Sequence, residues 1–141
     1  MPSAPVFVDT NILVYAHDRA AGRKHEIARN KIISLWEEPM PPVVSGQVLQ
    51  ELYVTLIRKH LAAKDVREFV TDYMQWRVIA NDASLIREGI SITERWKVSF
   101  WDGLILAAAL RANVAEVWTE DLNEGQDYGG VRVVNPFRES F

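Results

Sequence analysis

Short apolar segments alternate with longer stretches of mixed apolar and polar residues along this chain. Each short segment has the length and apolar content that are typical of a buried strand. In the longer stretches the apolar residues recur every three or four positions, as they do on one face of a helix. The pattern predicts strands at residues 5–9, 43–45, 77–80, 114–119 and 131–134.

Helices are predicted between these strands. In residues 22–38, for example, Ile32 and Leu35 belong to an apolar face with charged residues between them, and the sequence PMPP at 39–42 ends the helix. Asp82 is placed to cap a later helix. The predicted helices are 11–18, 22–38, 46–60, 64–76, 83–97 and 102–113.

Strands that alternate with helices form a parallel sheet covered by helices on both faces. We therefore predict an α/β fold with three layers, α/β/α, around a short, mostly parallel twisted sheet of four to five strands. No internal repeat or linker divides the chain, so a single domain over residues 1–141 is expected. In such sheets, ligands bind beyond the carboxyl ends of the strands.

Acidic residues are predicted to gather at that edge of the sheet. Taken alone, Asp9 and Asp102 suit helix caps, Glu51 suits a solvated helix face, and Asp121 suits a turn. The alternating topology nevertheless carries all of them to one edge. Packed carboxylates repel one another unless a cation neutralises them, and a set without cysteine suits Mg²⁺ or Mn²⁺.

Composition and charge restrict the function classes. Hydrophobic residues make up 48% of the chain and charged residues 25%, which is ordinary globular composition. The net charge of −3 argues against a non-specific nucleic-acid coat, which relies on a basic surface. It does not exclude an enzyme that acts on nucleic acid, because the acids can be concentrated in one metal-filled pocket.

The chain is expected to be soluble and cytoplasmic, without membrane contact. It contains no cysteine, which excludes disulfides and thiolate metal sites and fits a reducing compartment. Residues 1–5 lack the basic region of a signal peptide. The longest apolar run, 104–110, is far shorter than the roughly 20 residues that span a bilayer.

Four segments resemble, in the same order, the successive motifs of the PIN-domain ribonucleases. They are VFVDTNILVYA at 6–16, QVLQELYVTL at 47–56, FWDGLILAAAL at 100–110 and VWTEDLNEGQ at 117–126. The compact length and the closing VRVVNPF are similar to the VapC-type toxins of bacterial toxin–antitoxin pairs. Each motif alone is weak evidence, whereas four in order, covering essentially the whole chain, are strong evidence.

The resemblance implies an endoribonuclease that hydrolyses RNA phosphodiester bonds with one or two divalent ions, Mg²⁺ or Mn²⁺. It implies that Asp9, Glu51, Asp102 and Asp121 form an acidic quartet that holds the metal. We expect Asp9 and Asp102 to be direct ligands. Glu51 and Asp121 are expected to ligate directly, to ligate through water, or to act as the base that takes the proton of the attacking water.

Two polar residues are implied to support this quartet. Asn11 and Thr119 would orient its carboxylates or the solvent between them. The loop from Asn123 to Gly130 differs freely in such families, so a contribution of Asp127 to metal binding is left open.

Basic residues are candidates for RNA contact. Arg19, Arg23 and Lys24 follow the helix that begins beside the first acid, and they are the better candidates for phosphate contact. Arg58 and Lys59 are better explained as charges that complement the dipole at the end of their helix.

Aromatic and imidazole side chains give weaker signals. Trp101 adjoins Asp102 and is a candidate for stacking on an unpaired base, although a position in the core is the stronger expectation. His17, His25 and His60 have no mutual spacing that indicates a metal site, so we interpret them as ordinary surface or helix-face residues.

The resemblance also implies partners: a cognate antitoxin whose tail covers the active site, and a second copy in a homodimer. Two alternatives stay open. One is a phosphotransferase or phosphatase that is phosphorylated on Asp9, although Asn11 stands where that pattern requires a second aspartate. The other is a catalytically inactive protein-binding module whose acids only cap helices. The RNA target is not specified by the sequence.

Overall fold

A five-stranded parallel sheet forms the centre of the fold. The computed structural model describes residues 4–138. Its strand order is β3-β2-β1-β4-β5, and every pairing is parallel. The predicted α/β class and the predicted strand segments are confirmed. The strands are β1 Val6–Val8, β2 Val43–Ser45, β3 Arg77–Ile79, β4 Glu116–Trp118 and β5 Arg132–Val134.

The helices follow the predicted segments closely. They are α1 Thr10–His17, α2 Arg23–Trp36, α3 Gly46–Arg58, α4 Ala63–Tyr73, α5 Ala83–Trp96 and α6 Phe100–Arg111. The start of α6 corrects one expectation. Ser99 is its N-cap and its hydroxyl accepts the Asp102 N–H at 3.1 Å, so Asp102 lies inside the first turn and does not cap the helix.

Two groups of helices cover the two faces of the sheet. The crossovers from β1 to β2 and from β2 to β3 run in one direction and contain α1 to α4, whereas the crossover from β3 back to β4 contains α5 and α6. Right-handed crossovers therefore place the two groups on opposite faces. The contacts agree with this division, because α1 packs on α2 and α3, α3 packs on α4, and α5 packs on α6.

The strand order reverses between β1 and β4, and this point fixes the position of the site. The two strands are paired in register, with Val8 opposite Trp118. The next residues, Asp9 and Thr119, are consequently neighbours at the carboxyl edge. At such a switch point the segments that follow the two strands leave the edge in opposite directions. The gap between them forms a crevice for a ligand.

Helix α6 is buried along most of its length, and it approaches α5 closely. All residues from Gly103 to Ala109 are buried. A Cβ atom on Gly103 would lie 2.3 Å from Thr93 Oγ1 and 2.7 Å from the Gly89 carbonyl oxygen. This close approach requires a residue without a side chain, and it holds the first turn of α6, with Asp102, against α5.

The described residues share one buried core built from the strands and the inner faces of the helices. Within residues 4–138, no helix is both long enough and apolar enough to cross a membrane. The expected single domain stays a prediction. The predicted domain includes residues 1–3 and 139–141, which lie outside the described residues. The prediction about a signal peptide concerns residues 1–5, of which residues 1–3 also lie outside the described residues.

We expect Gly103→Ala to lower the free energy of unfolding by about 1–3 kcal/mol, because the added methyl group meets the Gly89 backbone and cannot be accommodated by rotating a side chain. Gly46→Ala is the matched control, since its Cβ would meet atoms at 3.6 Å, an ordinary contact. Urea denaturation of both variants measures the difference. Equal stability of Gly103→Ala and the wild type would contradict the close packing of α5 and α6.

Candidate metal-binding active site

Asp9 is a buried carboxylate at the switch point of the sheet. It is 5% exposed, its Oδ1 accepts the Thr10 N–H at 2.7 Å, and its Oδ2 accepts the Thr119 hydroxyl at 2.8 Å. Burial raises the pKa of Asp9 from the ordinary 3.8 to about 7, with smaller contributions from the charges of Asp121 and Asp102, while the two hydrogen bonds oppose the shift. Asp9 therefore caps α1 and also belongs to a group of acids.

Thr119 and Asn11 connect Asp9 with Asp121. The buried Thr119 hydroxyl, besides donating to Asp9, accepts the Asp121 N–H at 3.1 Å and the Asn11 Nδ2–H at 3.3 Å. Asn11 Nδ2 also donates to Asp121 Oδ2 at 3.0 Å. These bonds hold the exposed Asp121 side chain on the side of the crevice where Asp9 lies.

Glu51 lies on the second turn of α3 and is held from two directions. The Thr10 hydroxyl donates to its Oε1 at 2.8 Å, and Gln47 Nε2 approaches its Oε2 at 3.4 Å. Gln47 Nε2 also approaches the Trp101 carbonyl oxygen at 3.4 Å, which links α3 to the first turn of α6. Glu51 therefore faces the crevice and does not lie on a solvated stripe.

Asp102 completes the acidic group from the opposite layer of helices. Burial raises the pKa of Asp102 above its usual value, and the charges of Asp121 and Glu51 add to this effect while the hydrogen bond with Ser99 opposes it. Asp102 is therefore close enough to Asp121 and Glu51 for their charges to raise its pKa.

The four acids line a single cavity of about 590 Å³. Among the residues that the structure describes, no three acidic or imidazole side chains converge to the distances at which they would all bind one ion directly.

Two further observations fit a polar ligand in this cavity. Asn11 Oδ1 and Gln47 Oε1 are buried oxygen atoms that have no hydrogen-bond partner within residues 4–138, and both residues line the cavity. A buried acceptor without a partner is costly, and water on a hydrated cation would supply the missing donors. These residues and the four acids line one cavity, and oxygen donors of this kind are the ligands that a hard divalent ion prefers.

The basic residues favoured for RNA contact do not line this cavity. Lys24 Nζ forms an ion pair with Glu120 Oε2 at 2.8 Å. Arg19 belongs to a 3-10 helix at Arg19–Ala21 and lines a separate cavity, and Arg23 is exposed at the start of α2. None of these three side chains lines the acidic cavity. Their contact with RNA stays a prediction.

Arg58, Lys59 and Trp101, by contrast, do line the acidic cavity. Arg58 and Lys59 are at the end of α3, and Lys59 Nζ also pairs with Asp18 Oδ2 at 3.0 Å. The expectation that Trp101 belongs to the core is wrong, because the residue is 61% exposed. A position on the outward side of the first turn of α6 explains this, since the inward side is filled by the contact with α5.

The remaining candidate residues lie outside the site. The Asp127 carboxylate accepts the Gly130 N–H at 2.7 Å and closes a turn. His17 is partly buried, stacks on Phe69 at 3.9 Å between ring centroids, and is therefore a packing residue. Burial lowers the pKa of His17 to about 4. None of the described histidines lines the acidic cavity.

Sequence reasoning missed Thr10, Gln47, Tyr15 and Glu120 as residues near the acids. Thr10 adjoins Asp9 in the sequence, and Glu120 adjoins Thr119 and Asp121. Gln47 and Tyr15 lie one helical turn from Glu51 and Asn11, respectively. Thr10 and Gln47 bond to Glu51, and Tyr15 bonds to Glu120. Helical spacing could have indicated Gln47, which lies one turn before Glu51 on the same face. The contact between Tyr15 and Glu120 joins residues 105 positions apart and has no local signal.

Comparison with known proteins is consistent with this geometry. Residues 6–124 match the family model of the PIN domain. A comparison with curated protein sequences finds no significant match.

Several solved structures share the fold. A toxin–antitoxin complex from Klebsiella pneumoniae is 21% identical, with a TM-score of 0.68 over 93% of this chain and 97% of that chain. VapC20 of Mycobacterium tuberculosis, a toxin that cleaves the sarcin–ricin loop, is 20% identical, with a TM-score of 0.58 over 79% and 86%. VapBC2 of Rickettsia felis, bound to a promoter DNA fragment, is 19% identical, with a TM-score of 0.62 over 91% and 96%.

The raised pKa of Asp9 predicts the pH dependence of stability. The folded state holds the Asp9 proton more tightly than the unfolded state, so this group's contribution is fully present below about pH 4 and is lost as the pH rises to about 7. Without divalent cations, Asp9→Asn should therefore be more stable than the wild type by about 2–4 kcal/mol at pH 8 and equally stable near pH 4. Asparagine keeps the helix cap.

Urea denaturation in a chelating buffer at several pH values measures this difference. Adding Mg²⁺ or Mn²⁺ at pH 8 should then raise the melting temperature of the wild type and leave that of Asp9→Asn nearly unchanged. Parallel stability curves for the two proteins across this pH range would contradict the assignment.

Proposed function

The chain belongs to the PIN-domain family, and on that premise we propose that it is a divalent-metal-dependent endoribonuclease that hydrolyses RNA phosphodiester bonds and acts as the toxin of a toxin–antitoxin pair. The observation that carries the proposal is the convergence of Asp9, Glu51, Asp102 and Asp121 on one cavity at the switch point of the sheet. Their mutual repulsion and the burial of Asp9 favour a bound cation.

Asp9 and Asp102 are the proposed direct ligands of one or two Mg²⁺ or Mn²⁺ ions, with Glu51 and Asp121 bound directly or through water. A bound divalent ion supplies a water of lowered pKa and polarises the scissile phosphate. The polar residues around the acids keep them in place. The Thr119 hydroxyl holds Asp9, Asn11 holds Asp121, and the Thr10 hydroxyl holds Glu51.

We assign the opposite end of the cavity to the RNA backbone. Arg58 lies seven residues after Glu51 on α3, which is about 10 Å along the helix. Apolar side chains of Val14, Val54 and Ile105 line the cavity as well. A strand with its scissile phosphate at the acids would place a neighbouring phosphate at Arg58, and Trp101 is exposed for stacking on an unpaired base.

This assignment moves the proposed phosphate contact from Arg19, Arg23 and Lys24 to Arg58 and Lys59. The reason is location, because only the latter two line the cavity that contains the acids. Lys59 already pairs with Asp18, so Arg58 is the stronger candidate of the two.

The proposed protein partners are a cognate antitoxin and a second copy of this chain. Support for the antitoxin comes from the fold, which is similar to that of a protein solved in a toxin–antitoxin complex. An antitoxin tail with a basic side chain would neutralise the acidic cavity in the absence of metal. The homodimer rests on the family resemblance alone, and light scattering of the purified chain tests it.

The phosphoaspartate alternative has less support. Asn11 stands two positions after Asp9, where that pattern requires a second aspartate, and its side chain donates to Asp121 instead. Trapping a phosphorylated Asp9 by mass spectrometry would revive this alternative.

We expect the purified chain to cleave folded RNA, such as a total tRNA and ribosomal RNA preparation, when Mg²⁺ or Mn²⁺ is present and to lose this activity in chelator. Asp9→Asn should reduce cleavage at least 100-fold because it removes a proposed ligand while keeping the shape of the side chain. Gel analysis and sequencing of the RNA ends measure the effect. Equal cleavage by the wild type and by correctly folded Asp9→Asn would refute the proposed quartet.

Arg58→Gln should weaken RNA binding about 5-fold and reduce the slope of log affinity against log salt by about 1, because one phosphate contact is lost. Binding is measured by fluorescence anisotropy in the Asp9→Asn background, so that the RNA stays intact. Arg67→Gln, on the exposed face of α4, is the matched control. Identical affinities and salt slopes for the two variants would show that RNA does not use this end of the cavity.

A further inference from the structure

Glu120 lies between two residues of the site, Thr119 and Asp121, and its side chain points away from them to other elements. Its Oε1 accepts the Tyr15 hydroxyl at 2.6 Å, and its Oε2 accepts Lys24 Nζ at 2.8 Å. Tyr15 is on α1 and Lys24 is on α2. A single carboxylate therefore joins the segment after β4 to two helices that lie far from it in sequence.

Aromatic packing fixes the partners of this carboxylate. The Tyr15 ring meets the Phe137 ring edge to face, at 5.2 Å between centroids. Lys24 Nζ lies 5.1 Å from the Tyr15 centroid and 5.3 Å from the Phe137 centroid, within the range of cation–π attraction. Both donors to Glu120 are thus also held by contacts that do not involve the carboxylate.

We propose that Tyr15, Lys24 and Glu120 form a clamp that positions Asp121 for metal binding, so that Lys24 acts through Glu120 and not by contacting RNA. The inference rests on the proposed function and extends it to residues that the acidic quartet does not include. Asp121 needs such support because its side chain is exposed, and only Asn11 and the backbone bond to Thr119 hold it otherwise among the described contacts.

The contacts rank the contributions within the clamp. The Lys24 side chain is 47% exposed, and an exposed ion pair contributes little by itself. The Tyr15 hydroxyl donates at shorter distance from a partly buried position. Loss of the whole carboxylate should therefore have the largest effect, loss of the Tyr15 hydroxyl a smaller one, and loss of the Lys24 charge the smallest.

Direct titration with Mn²⁺ in the absence of RNA tests the clamp. Glu120→Ala should weaken Mn²⁺ binding about 10-fold, a size typical of residues that support a metal ligand, with Asp121→Asn as the reference for full loss of that ligand. Glu120→Gln keeps an acceptor for Tyr15 and should retain most of the affinity. Tyr15→Phe keeps the ring packing and should fall between the two.

Two matched controls accompany these variants. Tyr53→Phe removes a hydroxyl from an exposed tyrosine on α3, and Glu68→Ala removes an exposed carboxylate from α4. Both should bind Mn²⁺ as the wild type does. If Glu120→Ala does not fold, Tyr15→Phe decides the question, because it removes one oxygen atom and leaves the charge unchanged.

The outcomes separate the clamp from the proposed function. If Asp9→Asn loses Mn²⁺ binding but Glu120→Ala and Tyr15→Phe keep wild-type affinity, the clamp is wrong and the proposed function stands. Wild-type affinity in Asp121→Asn would also overturn the clamp. If the wild type binds no Mn²⁺, or Asp9→Asn binds it equally well, the proposed function fails and the clamp fails with it.

Steady-state kinetics with RNA separate the two roles of Lys24. If Lys24 acts through Glu120, Lys24→Met lowers kcat slightly, leaves KM unchanged, and has no further effect in the Glu120→Ala background. If Lys24 contacts RNA, Lys24→Met raises KM in both backgrounds, and the assignment of Lys24 to the clamp is overturned.

Discussion

The contact between Asp9 and Thr119 is the interaction on which the arrangement of the site depends. It exists because β1 and β4 are paired in register, so that the residues following them are side by side at the carboxyl edge. Burying a carboxylate costs free energy unless its charge is compensated. The hydrogen bonds to Asp9 compensate only in part, as its raised pKa shows. The fold therefore brings carboxylates together at one edge, and the proposed divalent cation would relieve their mutual repulsion.

The direction of the crossovers explains why acids from both helical layers meet at this contact. The first turns of α1 and α6 open onto the same edge from opposite faces of the sheet, and α3 follows β2 beside them. Helix N-termini stabilise negative charge. Asp9 can therefore cap α1 and belong to the site at the same time. The geometry that favours a carboxylate at the cap also directs that carboxylate into the crevice.

Helix α1 organises the supporting bonds. Thr10, Asn11 and Tyr15 each donate to an acid on another element, respectively Glu51, Asp121 and Glu120. One short helix, anchored by buried Ile12 and Leu13, therefore orients acids from α3 and from the segment after β4. This explains why polar residues interrupt the apolar run in VFVDTNILVYA: the apolar positions fix the helix, and the polar ones align the acids around it.

The strands and helices were predictable because periodicity is local, and the edge at which the acids gather was predictable because the handedness of crossovers is nearly invariant. The identity of the side chains that meet there follows from the packing of the elements. Lys24 pairs with Glu120 across 96 residues, and Trp101 faces solvent because the close contact of α5 and α6 occupies the other side of its helix. Such pairings depend on how elements pack together, and no local pattern in the chain encodes them.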